Sequence, residues 1–316
     1  MILNRLVRFK QILSTFPQSV QPLLKRIPQQ GGKLPHDACQ RFLESLNISL
    51  EQLMVRLLPL AGVFATVPVS EFCVGAVVQT ASRIRPSQKE LYLGANLEFE
   101  NLALNATIHA EQSAAMNAWH QDGGRLLAVA TSETPCGHCR QFLHEFCGGK
   151  DMLIVQPGNR TAACRIEPIG KLLPQPFTPD DLDKPITLLA PKQSVQPLNF
   201  KDGSDDPLVM AALEAARSAY APYTGNLAGC ALQIRDKQIV CGRSMESVAF
   251  NPSVSAWHAA VIRLNLMTLN ELPAVGRVAL VERPGKTRQK ETVQVLMKAV
   301  MPGIRLEYHL AQEEIE

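Results

Sequence analysis

The chain has 316 residues, is 46% hydrophobic, and carries 32 Lys plus Arg against 29 Asp plus Glu, a net charge of +3. That suffices for two domains of ordinary size, while so small a charge imbalance, with aromatics at 5%, argues against a phosphate-backbone groove or a stacking platform for single strands. No apolar run approaches the roughly 20 residues that span a bilayer and no cleavable leader is evident, so the expected setting is cytoplasmic, with neither membrane nor nucleic acid as partner.

The first 36 positions hold six Lys or Arg and no acid. "M-I-L-N-R-L-V-R-F-K" is amphipathic and superficially similar to a transit peptide, but we read residues 1–48 as an N-terminal helical segment. Ser49 and Gln52 form a capping-box pair that predicts an apolar helix through about Val63. "F-C-V-G-A-V-V" from 72 and "Y-L-G-A-N-L-E" from 92 predict strands, with a hairpin insert "R-I-R-P-S-Q" between them. "L-L-A-V-A-T-S" predicts a buried strand ending near Ser132, and "C-G-H-C-R-Q-F-L-H-E-F" a helix. Nine of the 22 prolines fall between Pro157 and Pro207, so 157–206 reads as a surface linker. Asp206-Pro207 is then an N-cap and first-turn signal for a helix through about Ala219.

After this linker the pattern returns, with "L-A-G-C-A-L-Q-I" from 227 and "V-C-G-R-S-M-E" from 240 answering the two earlier strands. Matching His109 to His258 and Pro135-Cys136 to Pro284-Gly285 makes residues 49–156 and 207–316 two copies of one unit. The fold class is therefore α/β, each copy a sheet covered by helices. The second copy is stripped where the first is equipped, since Gly285 and Arg288 stand where Cys136 and Cys139 would be.

Eight cysteines are present, mostly in apolar stretches, and only Cys136 and Cys139 have ligand spacing. Alone, C-x-x-C is open to three readings: a redox dithiol, a structural zinc knuckle completed by His144 or Cys147, or part of a catalytic metal site. At the start of a helix the two sulfurs share a face and their thiolates are favoured by the helix dipole, whereas His138 points away and reads as a surface residue. His109-Ala110-Glu111 upstream shifts the balance. One imidazole and two thiolates suit Zn²⁺, one ion per chain, with a fourth position open to water, and Glu111 is a carboxylate free to carry protons.

H-x-E followed by P-C-x-x-C, together with "F-C-V-G-A", "G-A-N-L-E-F", "H-A-E-Q" and "T-P-C-G-H-C-R-Q", resembles the two-domain bacterial cytidine deaminases, from about residue 50 to the end of the chain. The resemblance implies two tandem three-layer α/β/α domains, the second degenerate, and hydrolytic deamination of cytidine and 2′-deoxycytidine in pyrimidine salvage. It implies His109, Cys136 and Cys139 as zinc ligands and Glu111 as proton shuttle. It further implies Asn96 and Glu98 on the ribose 3′-hydroxyl and Phe72 on the pyrimidine, with Leu97 and Ala110 completing the substrate-contacting set. Because single-domain members of the family form tetramers, a chain with two copies is expected to be a homodimer, in which Ala249 and Phe250 are candidates to reach the site of the other chain. A nucleotide or polynucleotide deaminase, or a non-catalytic zinc scaffold, are the competing readings.

Overall fold

The computed structural model describes residues 4–146, 149–158, 164–184, 188, 195–234, 237–269 and 274–313. The N-terminal segment contains helices α1 (Arg5–Ser14), α2 (Gln21–Lys25) and α3 (His36–Leu46). It is not purely helical, however. Gly31 and Gly32, at φ of 56° and 79°, turn the chain into strand β1 (Lys33–Leu34), which pairs with β3 (Lys89–Ala95) at the sheet edge. Arg5 anchors α1 by donating to the carbonyls of Phe64 and Ala65 and to Asn265 Oδ1, so this segment touches both copies.

Helix α4 (Leu50–Gly62) starts as predicted, with the Gln52 amide donating to Ser49 Oγ and Gln52 Oε1 accepting from Ser49 N–H. Strands β2 (Gly75–Ala81), β4 (Leu126–Thr131), β5 (Leu153–Pro157) and β6 (Cys164–Pro168) complete a six-stranded sheet in the order β1-β3-β2-β4-β5-β6. Only β4 and β5 run parallel. Thus part of the expected linker is structural: 164–168 forms an edge strand, where the absent N–H of Pro168 costs no interior ladder bond. Helices α5 (Ala110–His120) and α6 (Gly137–Leu143) precede and follow β4. A short helix, α7 (Ile169–Leu172), then leads towards β7 (Leu198–Asn199).

In the second copy, Asp206 Oδ1 accepts from Leu208 N–H to cap α8 (Pro207–Arg217). Strands β8 (Leu227–Ile234), β9 (Ile239–Arg243) and β10 (Val275–Arg283), helices α9 (Ala256–Leu266) and α10 (Lys290–Val300), and β11 (Leu306–Leu310) follow, the sheet order being β11-β10-β8-β9. This is the inner part of the first sheet repeated, again with one parallel pair. Finally β12 (Gln312–Glu313) pairs with β7.

Glycines set the helix–sheet distance on both sides. A Cβ at Gly75 would overlap the backbone of Leu58 and Gly62 in α4, and one at Gly94, on the opposite face, would overlap the backbone of Ala114 in α5. Gly229 against α8 and Gly242 against α9 repeat the arrangement. Each sheet therefore lies between two closely packed helices. Gly94→Ala is expected to push α5 off the sheet and destabilise the protein by about 3 kcal/mol or more, read from the urea midpoint, whereas Gly137→Ala, with no neighbour near its Cβ, should change the midpoint by only about a sixth of that.

Every residue from Ala110 to Trp119 is buried, as are most of Ala256–Leu266. The reason is that α5 and α9 pack on each other as well as on their own sheets. One apolar core accordingly runs through both copies, including Trp119, Met116, Trp257 and Leu264, and Arg243 stacks on Trp119 with its guanidinium 4.1 Å from the ring centroid.

The structure corrects the register of the repeat. Gly75 pairs with Ala95, twenty residues on, but Gly229 pairs with Arg243, fourteen on; Leu97 bridges Ile108, eleven on, but Met245 bridges Val254, nine on. The helix N-cap His109 thus corresponds to the N-cap Ser255, and His258 stands opposite Gln112. Counting between histidines failed because the second copy is shorter in two loops, not one. Gly285 remains the counterpart of Cys136, since the β2–β4 and β8–β10 pairings agree.

Candidate metal centre and substrate pocket

His109 and Cys136 are the N-caps of α5 and α6, and Cys139 lies one turn into α6. Their ligand atoms all fall within 4.8 Å of one another, and Cys136 Sγ is 3.5 Å from His109 Nδ1. Tetrahedral zinc with its usual Zn–S and Zn–N bond lengths needs ligand atoms about 3.5–3.8 Å apart, so these residues fit the ion with only small adjustment. The expected ligands are brought together. His144 is not in the group among the described residues, and Cys147 lies outside them.

The charge pattern of the cluster suits a cation. The Cys136 thiol is drawn down to about 3, first by its hydrogen bond with Cys139 and then by that with His109. Cys139 is pushed up, chiefly because it donates to Cys136 and secondly because it is buried. His109 is raised by its bond to Cys136. Glu111, only 5% exposed, is raised by burial and hydrogen-bonds with Cys139, placing a carboxyl group directly beside the ligands.

Two neighbours were not legible in the sequence. The ring of His138 stacks on His109 with centroids 5.4 Å apart and planes at 23°, so it is not the free surface residue expected; the first turn of α6 carries it back across the N-cap of α5. Gln112 holds His109 N–H with Oε1 and donates through Nε2 to the Pro252 carbonyl in the second copy. The H-x-x-Q spacing was the available signal for the first of these bonds.

Phe72, Asn96 and Glu98 meet at the loop that follows Pro68. Asn96 Oδ1 accepts from Val74 N–H at 2.9 Å while its amide donates to the Phe72 carbonyl at 2.9 Å. Glu98 accepts from Val69 N–H, Ser70 N–H and the Ser70 hydroxyl. Both side chains thus hold the loop that presents Phe72, whose ring is 55% exposed rather than packed in the core. Leu97 is buried with its N–H given to the Ile108 carbonyl, and Ala110 is buried at the first position of α5. Glu246 binds Tyr223 N–H, Thr224 N–H and the Thr224 hydroxyl in the same manner, so the second copy keeps the loop staple without the metal ligands. Ala249 and Phe250 lie in a surface turn, Phe250 at φ 62° and 61% exposed.

Residues 48–155 and 169–294 each match the family described as the cytidine and deoxycytidylate deaminase zinc-binding region. A cytidine deaminase from Aeromonas hydrophila is 37% identical over 306 residues, covering 95% of this chain and 98% of its own. Another from Aliivibrio fischeri is 34% identical over 304 residues, covering 95% and 97%. A solved cytidine deaminase from Burkholderia pseudomallei is 25% identical over 40% of this chain and 97% of its own, with a TM-score of 0.33. With two matched regions and relatives alike along nearly its whole length, this chain belongs to the cytidine and deoxycytidylate deaminase family.

Proposed function

We propose that this protein hydrolyses cytidine and 2′-deoxycytidine to the uridine nucleosides and ammonia, as an enzyme of pyrimidine salvage. The observation that carries the reading is the cluster itself: three metal ligands within 4.8 Å and, beside them, a buried carboxyl that is not one of the three. When bound, zinc supplies the Lewis acidity that makes water a nucleophile near neutral pH.

The chain's own residues do the rest. Cys136, Cys139 and His109 would hold the ion, their two thiolates offsetting its charge. Glu111 takes the first proton from water as its oxygen adds to C4 of the pyrimidine and delivers it to N3, then takes the second from the new C4 hydroxyl and passes it to the amino group, which leaves as ammonia as the C4 carbonyl forms. Phe72 packs against the base from the loop stapled by Asn96 and Glu98, which also face the ribose 3′-hydroxyl, with Leu97 and Ala110 alongside. We assign the active form as a cytoplasmic homodimer in which Ala249 and Phe250 of one chain cover the site of the other. One feature supports the cross-chain contact: Phe250 stands 61% exposed at φ 62° in a surface turn, between the buried Val248 and Pro252.

The test is the ultraviolet change on mixing zinc-loaded protein with cytidine, 2′-deoxycytidine, dCMP, adenosine and 3′-deoxycytidine in parallel. Turnover of the first two is expected, with kcat/KM for 3′-deoxycytidine lower by at least about 10²-fold, because a site built to bond a hydroxyl leaves polar groups unpaired without it. No turnover of either cytidine nucleoside would end the proposal, and equal use of 3′-deoxycytidine would remove Asn96 and Glu98 from substrate binding.

A further inference from the structure

Directly after helix α6 stands Glu145, fully buried, and among the described residues all three donors to its carboxylate come from the second copy. Oε1 accepts from the Tyr220 phenol at 2.8 Å and from the Tyr223 phenol; Oε2 accepts from Val248 N–H at 2.8 Å. Two stretches of the second copy, "Y-A-P-Y-T" from 220 and "E-S-V-A-F-N-P" from 246, thus converge on one side chain of the first copy. The joint is one-way, since Thr66 and Val69, at the positions matching Tyr220 and Tyr223, carry no phenol.

We propose that Glu145 is a positioning residue that anchors the 247–250 turn to the end of the metal-bearing helix and thereby sets the affinity for nucleoside. This rests on the reading that Phe250 contacts substrate. A buried carboxylate tolerates little movement of its donors, because any donor withdrawn leaves charge without a partner. Val248 is two residues from Phe250, whose N–H is held by the Ser247 carbonyl and whose ring lies 6.3 Å from that of Tyr223. Tyr223 is itself fixed, its N–H bound by Glu246. Backbone and ring of the turn are therefore both referred to Glu145. Burial raises the Glu145 carboxyl, and the Tyr223, Val248 and Tyr220 donors pull it the other way, towards the charged form.

The experiment uses the full zinc-loaded chain and four changes: Glu145→Ala, Glu145→Gln, Tyr220→Phe with Tyr223→Phe, and Phe250→Ala. KM and kcat for cytidine, zinc per chain and thermal midpoint are measured for each. Glu145→Ala and the double tyrosine variant should raise KM about tenfold, the worth of one hydrogen bond to a charged group, with kcat within about twofold and zinc unchanged. Glu145→Gln, which can still accept from Val248 and donate to the phenol oxygens, should restore most of the affinity. Should Glu145→Ala fail to fold, the tyrosine pair decides. Unchanged KM in the pair, with Phe250→Ala raising KM, overturns the anchoring while leaving the Phe250 contact intact. Unchanged KM in Phe250→Ala removes that contact and this proposal with it. Parallel loss of zinc and kcat at constant KM would make Glu145 merely structural.

Discussion

Glu111→Gln is expected to keep one zinc per chain and a native circular dichroism spectrum while kcat falls by about 10²–10⁴-fold or more, the range for a single acid–base group, exceeded here because two transfers share it. The amide has the shape of the carboxyl and can still hydrogen-bond with Cys139, so the buried pocket is not vacated. What it cannot do is take up and release a proton. Burial raises the Glu111 carboxyl and so favours its neutral form, which is the state needed to protonate a ring nitrogen. Metal analysis beside single-turnover kinetics separates the possibilities: zinc loss would make Glu111 a ligand, and undiminished turnover would assign the proton transfers elsewhere.

Cys136→Ala should remove metal and activity together. Two ligands would remain, and the stabilisation that bound zinc lends the folded state would vanish, lowering the thermal midpoint relative to the zinc-loaded parent. The parent itself should lose zinc on acidification. Loading requires both thiolates and a neutral imidazole, yet the Cys139 thiol and His109 are both raised, so protons compete with the metal at each of them. Zinc affinity therefore rises with pH and falls in acid, which chelator competition at two pH values would measure. A metal-free Cys136→Ala protein with normal turnover would exclude zinc from the reaction.

The metal centre was legible because each of its halves is local, while the meeting of the two halves, 27 residues apart in the chain, was implied by the family resemblance. An N-cap histidine with a carboxylate two residues on, and two cysteines on the first turn of a helix, are placed by helix starts that the sequence announces. The same holds for α4 and α8, whose caps at Ser49 and Asp206 form as their side chains dictate. Alternation and glycine spacing likewise marked the inner strands, for Gly75, Gly94, Gly229 and Gly242 are demanded by helices packed on opposite faces.

What only the tertiary structure decided depends on contacts between residues far apart in the chain. The pairing of Ser255 rather than His258 with His109 follows from strand register, which loop shortening hides from counting. The total burial of α5 and α9 follows from their packing on each other, which no periodicity within either helix could reveal, since both lack a polar face. Residues 164–168 are an edge strand because β5 offers them a free edge, although proline density made them look like linker. His138 and Glu145 belong to the same class: each gains its meaning from a partner on another element, an imidazole in one case and two phenols of the second copy in the other, and sequence separation carries no record of either meeting.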